Sequence, residues 1–406
     1  MPTYTNSAAR PLLACLCMIA GSSLSGQAFA ANSLLYVANN GVDGVHCGSR
    51  STPCRSISQG IENAAYGDTI RVLPGIYGDL DGDGNLISPG EEHFDYEKEC
   101  AVCITKRVSV SSDAGAEVTE IRIPLVALGQ SAVKIIGADG VRFGGLDAGF
   151  TITGGSDYGV SVDGGSDVHV VGNTVLNGGI LISPRSGPLL VSGNSTIGRS
   201  SFGYGGFLVV APNRPGTVSS PATVVLQNNA SIGASIFVLG NDMLITNNRV
   251  SDSESDGFGL SGAGLVVTHN SSINNGAGFQ VGAPVGDGRR DEFLGNRAVG
   301  NRGPGFVVDL GSAPVNIHRN DIYGNDTVGY SRPDSPPVDV RQNCGILRIE
   351  GRSSDPPVDA RDNYWGSSRG PGADPADNVG LAAGCDPSNN LVFTPFATTP
   401  FALGVR

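Results

Sequence analysis

Seven short segments of this chain share one rhythm: Gly or Ser, an apolar residue, a free position, then a second apolar residue. They begin at Gly159, Gly179, Gly206, Ser235, Gly257, Gly278 and Gly305. They recur roughly every 20 to 29 residues, the period range of solenoids. A second ladder runs out of phase with the first, in which Asn is followed closely by a β-branched apolar residue: Asn173 and Val175, Asn248 and Val250, Asn270 and Ile273, Asn296 and Val299, Asn320 and Ile322. Two short strands per repeat, separated by Gly and Asn turns, leave no room for the helix of a β-α crossover. The chain is therefore expected to wind into an all-β coil of stacked strands with alternate residues pointing inward. Asn suits the corners because it tolerates left-handed backbone geometry and its amides can stack from rung to rung.

Composition agrees. Sixty Gly, 6% aromatics and only three Lys describe a turn-rich β protein. A formal net charge of -12 argues against nucleic acid and anionic membrane surfaces as partners. Residues 1–30 carry Arg10, an apolar stretch from Leu12 to Ala20, and Ala28-Phe29-Ala30. That is the form of a secretory signal, too short to span a bilayer, so a secreted or periplasmic location with no membrane span is expected. Leu12-Leu13-Ala14-Cys15 is only a loose lipoprotein box, with too little apolar sequence before Cys15.

Removing the signal leaves Cys47, Cys54, Cys100, Cys103, Cys344 and Cys385. An even count in an exported chain favours disulfides. Six cysteines permit fifteen connectivities, of which the spacing suggests the local one: Cys47 with Cys54, Cys100 with Cys103, Cys344 with Cys385. The Cys-Ala-Val-Cys element also has the form of a redox or zinc half-site, but no second half-site accompanies it. Ahead of the ladder, Ile57, Ile61, Ala64 and Ala65 have helical spacing, and a turn, strand and turn follow through Gly67 to Tyr77. A short helix there would cover the open end of the coil.

These end segments carry a resemblance. Ser56-Ile57 and Ala64-Ala65, with Gly67-Asp68-Thr69-Ile70-Arg71-Val72 and Pro74-Gly75-Ile76-Tyr77, resemble the opening of secreted right-handed parallel β-helix proteins of the pectate-lyase-like superfamily. Asp362-Asn363-Tyr364-Trp365-Gly366, Gly370-Pro371-Gly372 and Thr394-Pro395-Phe396 resemble the closing rung and tail of that group. The resemblance implies a right-handed parallel β-helix solenoid with a short N-terminal capping helix: a cap over 31–103, repeats over 104–366 and a tail over 367–406. It does not imply one activity, because the superfamily holds lyases, hydrolases, epimerases and noncatalytic surface proteins. The Asn-Thr-Asp, Asp-Asp, Gly-His-Gly and Arg-Ile-Lys elements of its glycosidases are absent, as is the Asp-Pro-His element of alginate epimerases. Pectate lyases pair Asp-bound calcium with an Arg or Lys base, and the stretch 104–366 holds only two Lys, Lys106 at its start and Lys134.

Aligned on the Asn ladder, one turn carries Asp252, Glu254 and Asp256, the next Asn274 and Asn275, the next Arg302, and the next Asn325 and Asp326. With Arg289 and Arg290 of the insertion Gly286 to Glu292, these groups form a candidate catalytic groove, since a lyase needs a base and a cation beside a uronate carboxylate. The plainer reading is a set of solvated charged turns. The free positions Leu181, Leu208 and Phe237 are expected to face outward as a strip that is covered, by the Ala211 to Ala222 loop for instance, or binds something.

Outside the repeats, Asp79-Leu80-Asp81-Gly82-Asp83-Gly84-Asn85-Leu86-Ile87 matches the first nine positions of a calcium loop. Gly90 stands where a bidentate Glu is expected, so Glu91 or Glu92 must substitute or the site is weaker; the proposed ligands are Asp79, Asp81, Asp83, Asn85 and Glu91, holding structural calcium. The alternative is an acidic Gly-rich loop with no ion. His46, His93, His169, His269 and His318 share no spacing, and His269 and His318 read as turn residues. Two functions follow: an exported enzyme, a lyase or epimerase, acting on acidic polysaccharide, or a noncatalytic surface or extracellular-matrix protein that uses the long coil to bind a polysaccharide, a cell-surface glycan or a partner; a monomer is expected in either case.

Overall fold

The computed structural model describes residues 32–124, 129–154, 157–185, 187–199, 205–210, 224–282, 289–309, 314–326, 343–349, 357–373, 375–379, 385 and 390–401. Residues 1–30, read above as a signal, the Ala211 to Ala222 loop and the Gly286 to Gly288 part of the insertion lie outside them.

The chain visits three parallel sheets in fixed rotation. Among the described residues, sheet 1 has 13 strands from Leu34–Val37 to Leu391–Val392, sheet 2 has 10 from Gly75–Gly78 to Asp321–Tyr323, and sheet 3 has 10 from Cys100–Ile104 to Ile346–Ile349. Each strand pairs with the equivalent strand one coil away, so like positions stack. In sheet 3 the inward row runs Val160, Ile180, Phe207, Ile236, Phe258, Phe279, Phe306 and Ile346, all buried. Phe258, Phe279 and Phe306 stack face to face, with ring centroids 4.7 and 4.8 Å apart. The apolar, free, apolar rhythm is thus the core row, the outer row and the core row of one strand.

The corner between sheets 1 and 2 is the Asn ladder. The side-chain oxygen of each ladder Asn accepts from the backbone N–H and the side-chain amide of the ladder Asn one rung earlier, through Asn173, Asn194, Asn229, Asn248, Asn270, Asn296, Asn320 and Asn363. The residue before each is left-handed: Gly172, Gly193, Asn228, Asn247, His269, Gly295, Arg319 and Asp362 have φ between 53° and 68°. His269 is therefore the turn residue expected. His318 is not: it ends strand Val315–His318 and its Nε2 lies 3.0 Å from Asp359 Oδ1.

A second ladder lines the corner between sheets 2 and 3. The backbone N–H of Ser253, Asn275, Asn301 and Asn325 donates in turn to the side chains of Asn275, Asn301, Asn325 and Asp377, at 2.8 to 3.2 Å. Asn275 and Asn325, placed on the outer surface by the sequence reading, are buried here because these inner amide bonds close the corner.

Strands Thr69–Val72, Gly75–Gly78 and Cys100–Ile104 fall within the stretch read as a cap over 31–103, yet already pair in the three sheets. Helix Ile57–Asn63 closes this end. Ser56 Oγ accepts from Gln59 N, and the buried Glu92 carboxylate accepts from Ile57 N and Ser58 N. At the helix C-terminus, Lys106 Nζ donates to the carbonyls of Glu62 and Ala64. At the other end of the coil, Trp365 is fully buried. The disulfides are Cys47–Cys54, Cys100–Cys103 and Cys344–Cys385, the local pairing suggested by spacing. No helix among the described residues is long and apolar enough to cross a membrane.

Connections from sheet 1 to sheet 2 within the repeats are short. The long ones flank sheet 3: Ile197 to Gly206 and Tyr323 to Ile346 on one side, Val210 to Val224, Val281 to Asp291 and Ile349 to Val358 on the other. The outer face of sheet 3 is therefore the surface on which this sequence varies its turns, which is where binding function concentrates on a rigid scaffold.

Candidate functional site

Asp252, Glu254 and Asp256 occupy the turn between Arg249–Ser251 of sheet 2 and Phe258–Ser261 of sheet 3. Asp252 has φ 62°, and the equivalent residues Asn177, Gly198, Gly233, Asn274, Gly300 and Gly324 also have positive φ. The position selects Asn, Gly or Asp for backbone geometry. Asn274 Nδ2 donates to Asp252 Oδ1 at 2.6 Å, and this bond, with smaller contributions from Ser251, Arg249 and Arg302, holds the carboxyl below its ordinary range.

Two arginines reach this turn from opposite sides, each crossing two rungs. Arg302 Nη2 donates to Ser253 O at 2.5 Å. Arg199 Nε donates to Gly233 O at 3.0 Å, and its Nη1 lies 3.5 Å from Glu254 Oε2. Asp256 Oδ1 accepts from Ala277 N at 3.3 Å. Asp252, Glu254, Asp256 and Arg302 are thus brought together, on a corner of the coil, in bonds that tie rungs to one another. Arg289 and Arg290 are not part of that group. They follow a sheet 3 strand and lie across the width of the sheet, where Arg289 pairs with Asp242 and Arg290 Nη1 donates to Asn316 Oδ1 at 3.0 Å. Alignment on the Asn ladder had merged two different corners.

Between these corners lies the outer row of sheet 3. In register it reads Cys103, Lys134, Ser161, Leu181, Leu208, Phe237, Gly259, Gln280, Val307 and Leu347. Leu181, Leu208 and Phe237 face outward as their free positions imply, and Phe237 is 42% exposed. Val210 and Leu239 extend the floor beside Leu208 and Phe237. Gly259 decides the attitude of the ring: a Cβ there would stand 2.3 and 2.6 Å from Phe237 Cδ2 and Cε2. The Phe237 ring therefore lies across the neighbouring strand, over the space a side chain would fill. Ser183, Ser261, Gln280 and the Asp163–Arg185 pair edge this apolar floor. Sequence reasoning missed Gly259, whose signal is the one Gly at the free position of a repeat.

The acidic loop converges in part. Carboxylate oxygens of Asp79, Asp81 and Glu91 lie within 4.8 Å of one another, with Asp79 4% and Glu91 2% exposed. Asp79 accepts from Gly82 N and Gly84 N, at 2.7 and 3.0 Å, and Glu91 from Leu80 N and Ser88 N, at 3.0 and 2.8 Å. Asp83 is exposed and turned toward Asn85 N, outside this group, and Asn85 is exposed. Three carboxylates on oxygen-rich backbone suit a hard cation such as calcium.

Two other buried acids sit apart from both places. Burial pushes Glu92 up to about 6 and Asp291 up to about 6. Asp291 Oδ1 accepts from Leu265 N at 2.9 Å, while its Oδ2 has no hydrogen-bond partner. A buried carboxyl with a raised folded pKa takes up a proton before the unfolded chain does as the pH falls. Stability is therefore expected to rise from about pH 7.5 to about pH 5. His169, whose protonation is disfavoured chiefly by burial, works against this rise over the same range, but as one partly buried group against two buried carboxyls, and Asp359, held far below its usual range chiefly by Arg361, does so in more acid solution. Urea unfolding in chelator at the two pH values checks this. Asp291→Asn should flatten the rise, and a native protein less stable at the lower pH contradicts it.

Comparison with known proteins bears on the fold. A model described as right handed beta helix region matches residues 218–347. Among solved structures, the mannuronan C-5 epimerase AlgE6 A-module of Azotobacter vinelandii is similar, with 12% identity, a TM-score of 0.51, and coverage of 85% of this chain and 94% of that one. The pectate lyase Pel9A is 13% identical over 80% of this chain and 86% of its own, with a TM-score of 0.42. No curated protein matches the sequence. The architecture is a right-handed parallel β-helix. At these identities the likeness is one of fold.

Proposed function

We propose that this is an exported β-helix protein that binds glycan on the outer face of sheet 3, with the Phe237 ring as its platform. The observation that carries this reading is the exposed ring laid over Gly259, on an apolar floor edged by a few polar groups, which is the usual make-up of a ligand site. A flat aromatic face packs against the C–H face of a sugar ring while its polar edge groups meet hydroxyls. Export is supported by the signal-like first thirty residues and by three disulfides. Calcium held by Asp79, Asp81 and Glu91 would order the excursion between the first strands of sheets 2 and 3.

The test is calorimetric titration with neutral and uronate oligosaccharides, alongside an assay for turnover. Phe237→Ala should weaken binding at least tenfold while leaving the far-ultraviolet spectrum unchanged. Arg302→Met should cost about 1 kcal/mol of stability, the order of one hydrogen bond, and leave binding intact. Equal affinity in Phe237→Ala and the native protein would dismiss the platform. A second reading, cleavage or epimerisation of a uronate polymer, is favoured by the adjacency of Asp252 and Arg302. It requires product to form, and to disappear in Asp252→Asn.

A further inference from the structure

The outer row of sheet 3 is open over only part of its length. By register, Val307 and Leu347 continue the line of Phe237, Gly259 and Gln280, yet they are 0% and 1% exposed. With Ala277, Cys344 and Cys385 they form an apolar cluster separate from the main core, on the outside of the coil. The Cys344–Cys385 bond ties it down, and Arg348 N donates to Cys385 O at 2.8 Å, so this cover is bonded to the edge of the sheet. At the other end, Ser161 also points outward by register but is only 2% exposed. Beyond it the Lys134 side chain is 16% exposed and paired to Glu99 at 3.1 Å.

The open floor therefore runs from Leu181 through Leu208, Phe237 and Gly259 to Gln280. Those five in-register positions span ~19 Å at about 4.8 Å per rung. An extended ligand lying along the coil axis meets the disulfide-tied cluster as a step at one end and the covered Ser161 rung at the other. Building on the glycan reading of the Phe237 platform, we infer that this site takes a short glycan, or the end of a chain, of about four or five sugar units, each about as long as one rung is high. The interior of a long unbranched polymer cannot lie on the floor without lifting off it at the step. The same sheet 3 face would run on without interruption if Val307 and Leu347 were uncovered, so the residues that set ligand length are those of the cover, in particular Cys344, Cys385 and Ala277.

The experiment is calorimetry with 1,4-linked xylose and galacturonate oligomers of two to eight units and with the two parent polymers in several length fractions. The expected result is affinity that strengthens at least tenfold from two units to about five, then changes less than twofold up to eight. Each polymer chain should bind one protein molecule, with a per-chain affinity independent of its length. Affinity still climbing at eight units, or several molecules bound per polymer chain, overturns the bounded site while leaving the glycan reading standing. Failure of every oligomer and polymer to bind removes the glycan reading and this inference with it. Phe237→Ala in the same series must lower affinity at all lengths, and a loss confined to the longest oligomers would place the floor elsewhere.

Discussion

Replacing Asn270 by Ala is expected to remove about 3–6 kcal/mol of stability, through several buried polar groups that each cost ~1–3 kcal/mol when left unpaired. The side chain is fully buried. Its oxygen accepts from Asn248 N at 2.9 Å and Asn248 Nδ2 at 3.0 Å, and its amide donates to Ile245 O at 2.8 Å and Asn296 Oδ1 at 3.1 Å. Truncation strands two donors on the rung below and an acceptor carbonyl, and no water can reach them at a closed corner. A solenoid is stabilised by contact between neighbouring rungs, so the loss is expected to uncouple the coil there and broaden or split the unfolding transition. Asn274→Gly is the control: that side chain is exposed and donates to Asp252, and Gly keeps the left-handed backbone of this position. Urea denaturation followed by circular dichroism measures both. An Asn270→Ala protein within 1 kcal/mol of native, with one sharp transition, would show that the ladder is not what couples the rungs.

Much of this corner was legible in the sequence because it repeats. Period-two apolarity distinguished the inward row from the outward one, and Asn173, Asn248, Asn270, Asn296 and Asn320 marked a corner at constant offset from a strand. The local cysteine pairs were legible for the same reason, since nearby turns limit what each thiol can reach. The grouping of Arg289 and Arg290 with Asp252 and Arg302 failed where position on the coil mattered. Asp252 reads as an acid in a string, but in the stack it alternates with Asn and Gly at a left-handed position. Arg289 and Arg302 are only 13 positions apart in sequence, yet one follows sheet 3 and the other precedes it. Nothing in local composition separates those corners. Phe237 and Gly259 each stand out at a free position, but what joins them is the register of neighbouring rungs, which neither residue's sequence neighbours show.

Calcium is expected to raise the unfolding free energy by about 2.7 kcal/mol when present at 100 times its dissociation constant, and a chelator should reverse that shift. The argument starts from Asp79 and Glu91, which are almost wholly buried with their oxygens close to those of Asp81. Backbone N–H groups satisfy one direction of each carboxylate but leave like charges facing each other, and a divalent cation offsets that repulsion. Magnesium should act more weakly, because it demands near-octahedral geometry and gives up water reluctantly. Asp79→Asn and Glu91→Gln should each abolish the calcium-dependent shift, whereas Asp83→Asn, outside the convergent group, should retain most of it. A chelator that leaves the melting temperature unchanged, together with a Glu91→Gln protein indistinguishable from native, would dismiss the ion. The effect should also travel. Glu91 is joined directly to Glu92, whose buried carboxylate caps the first turn of helix Ile57–Asn63. Loss of the cation frees the segment that positions Glu92, so hydrogen exchange in the helix should quicken with that in the loop. A loop that loosens alone would mean that the ion orders only its own turn and that the end cap stands without it.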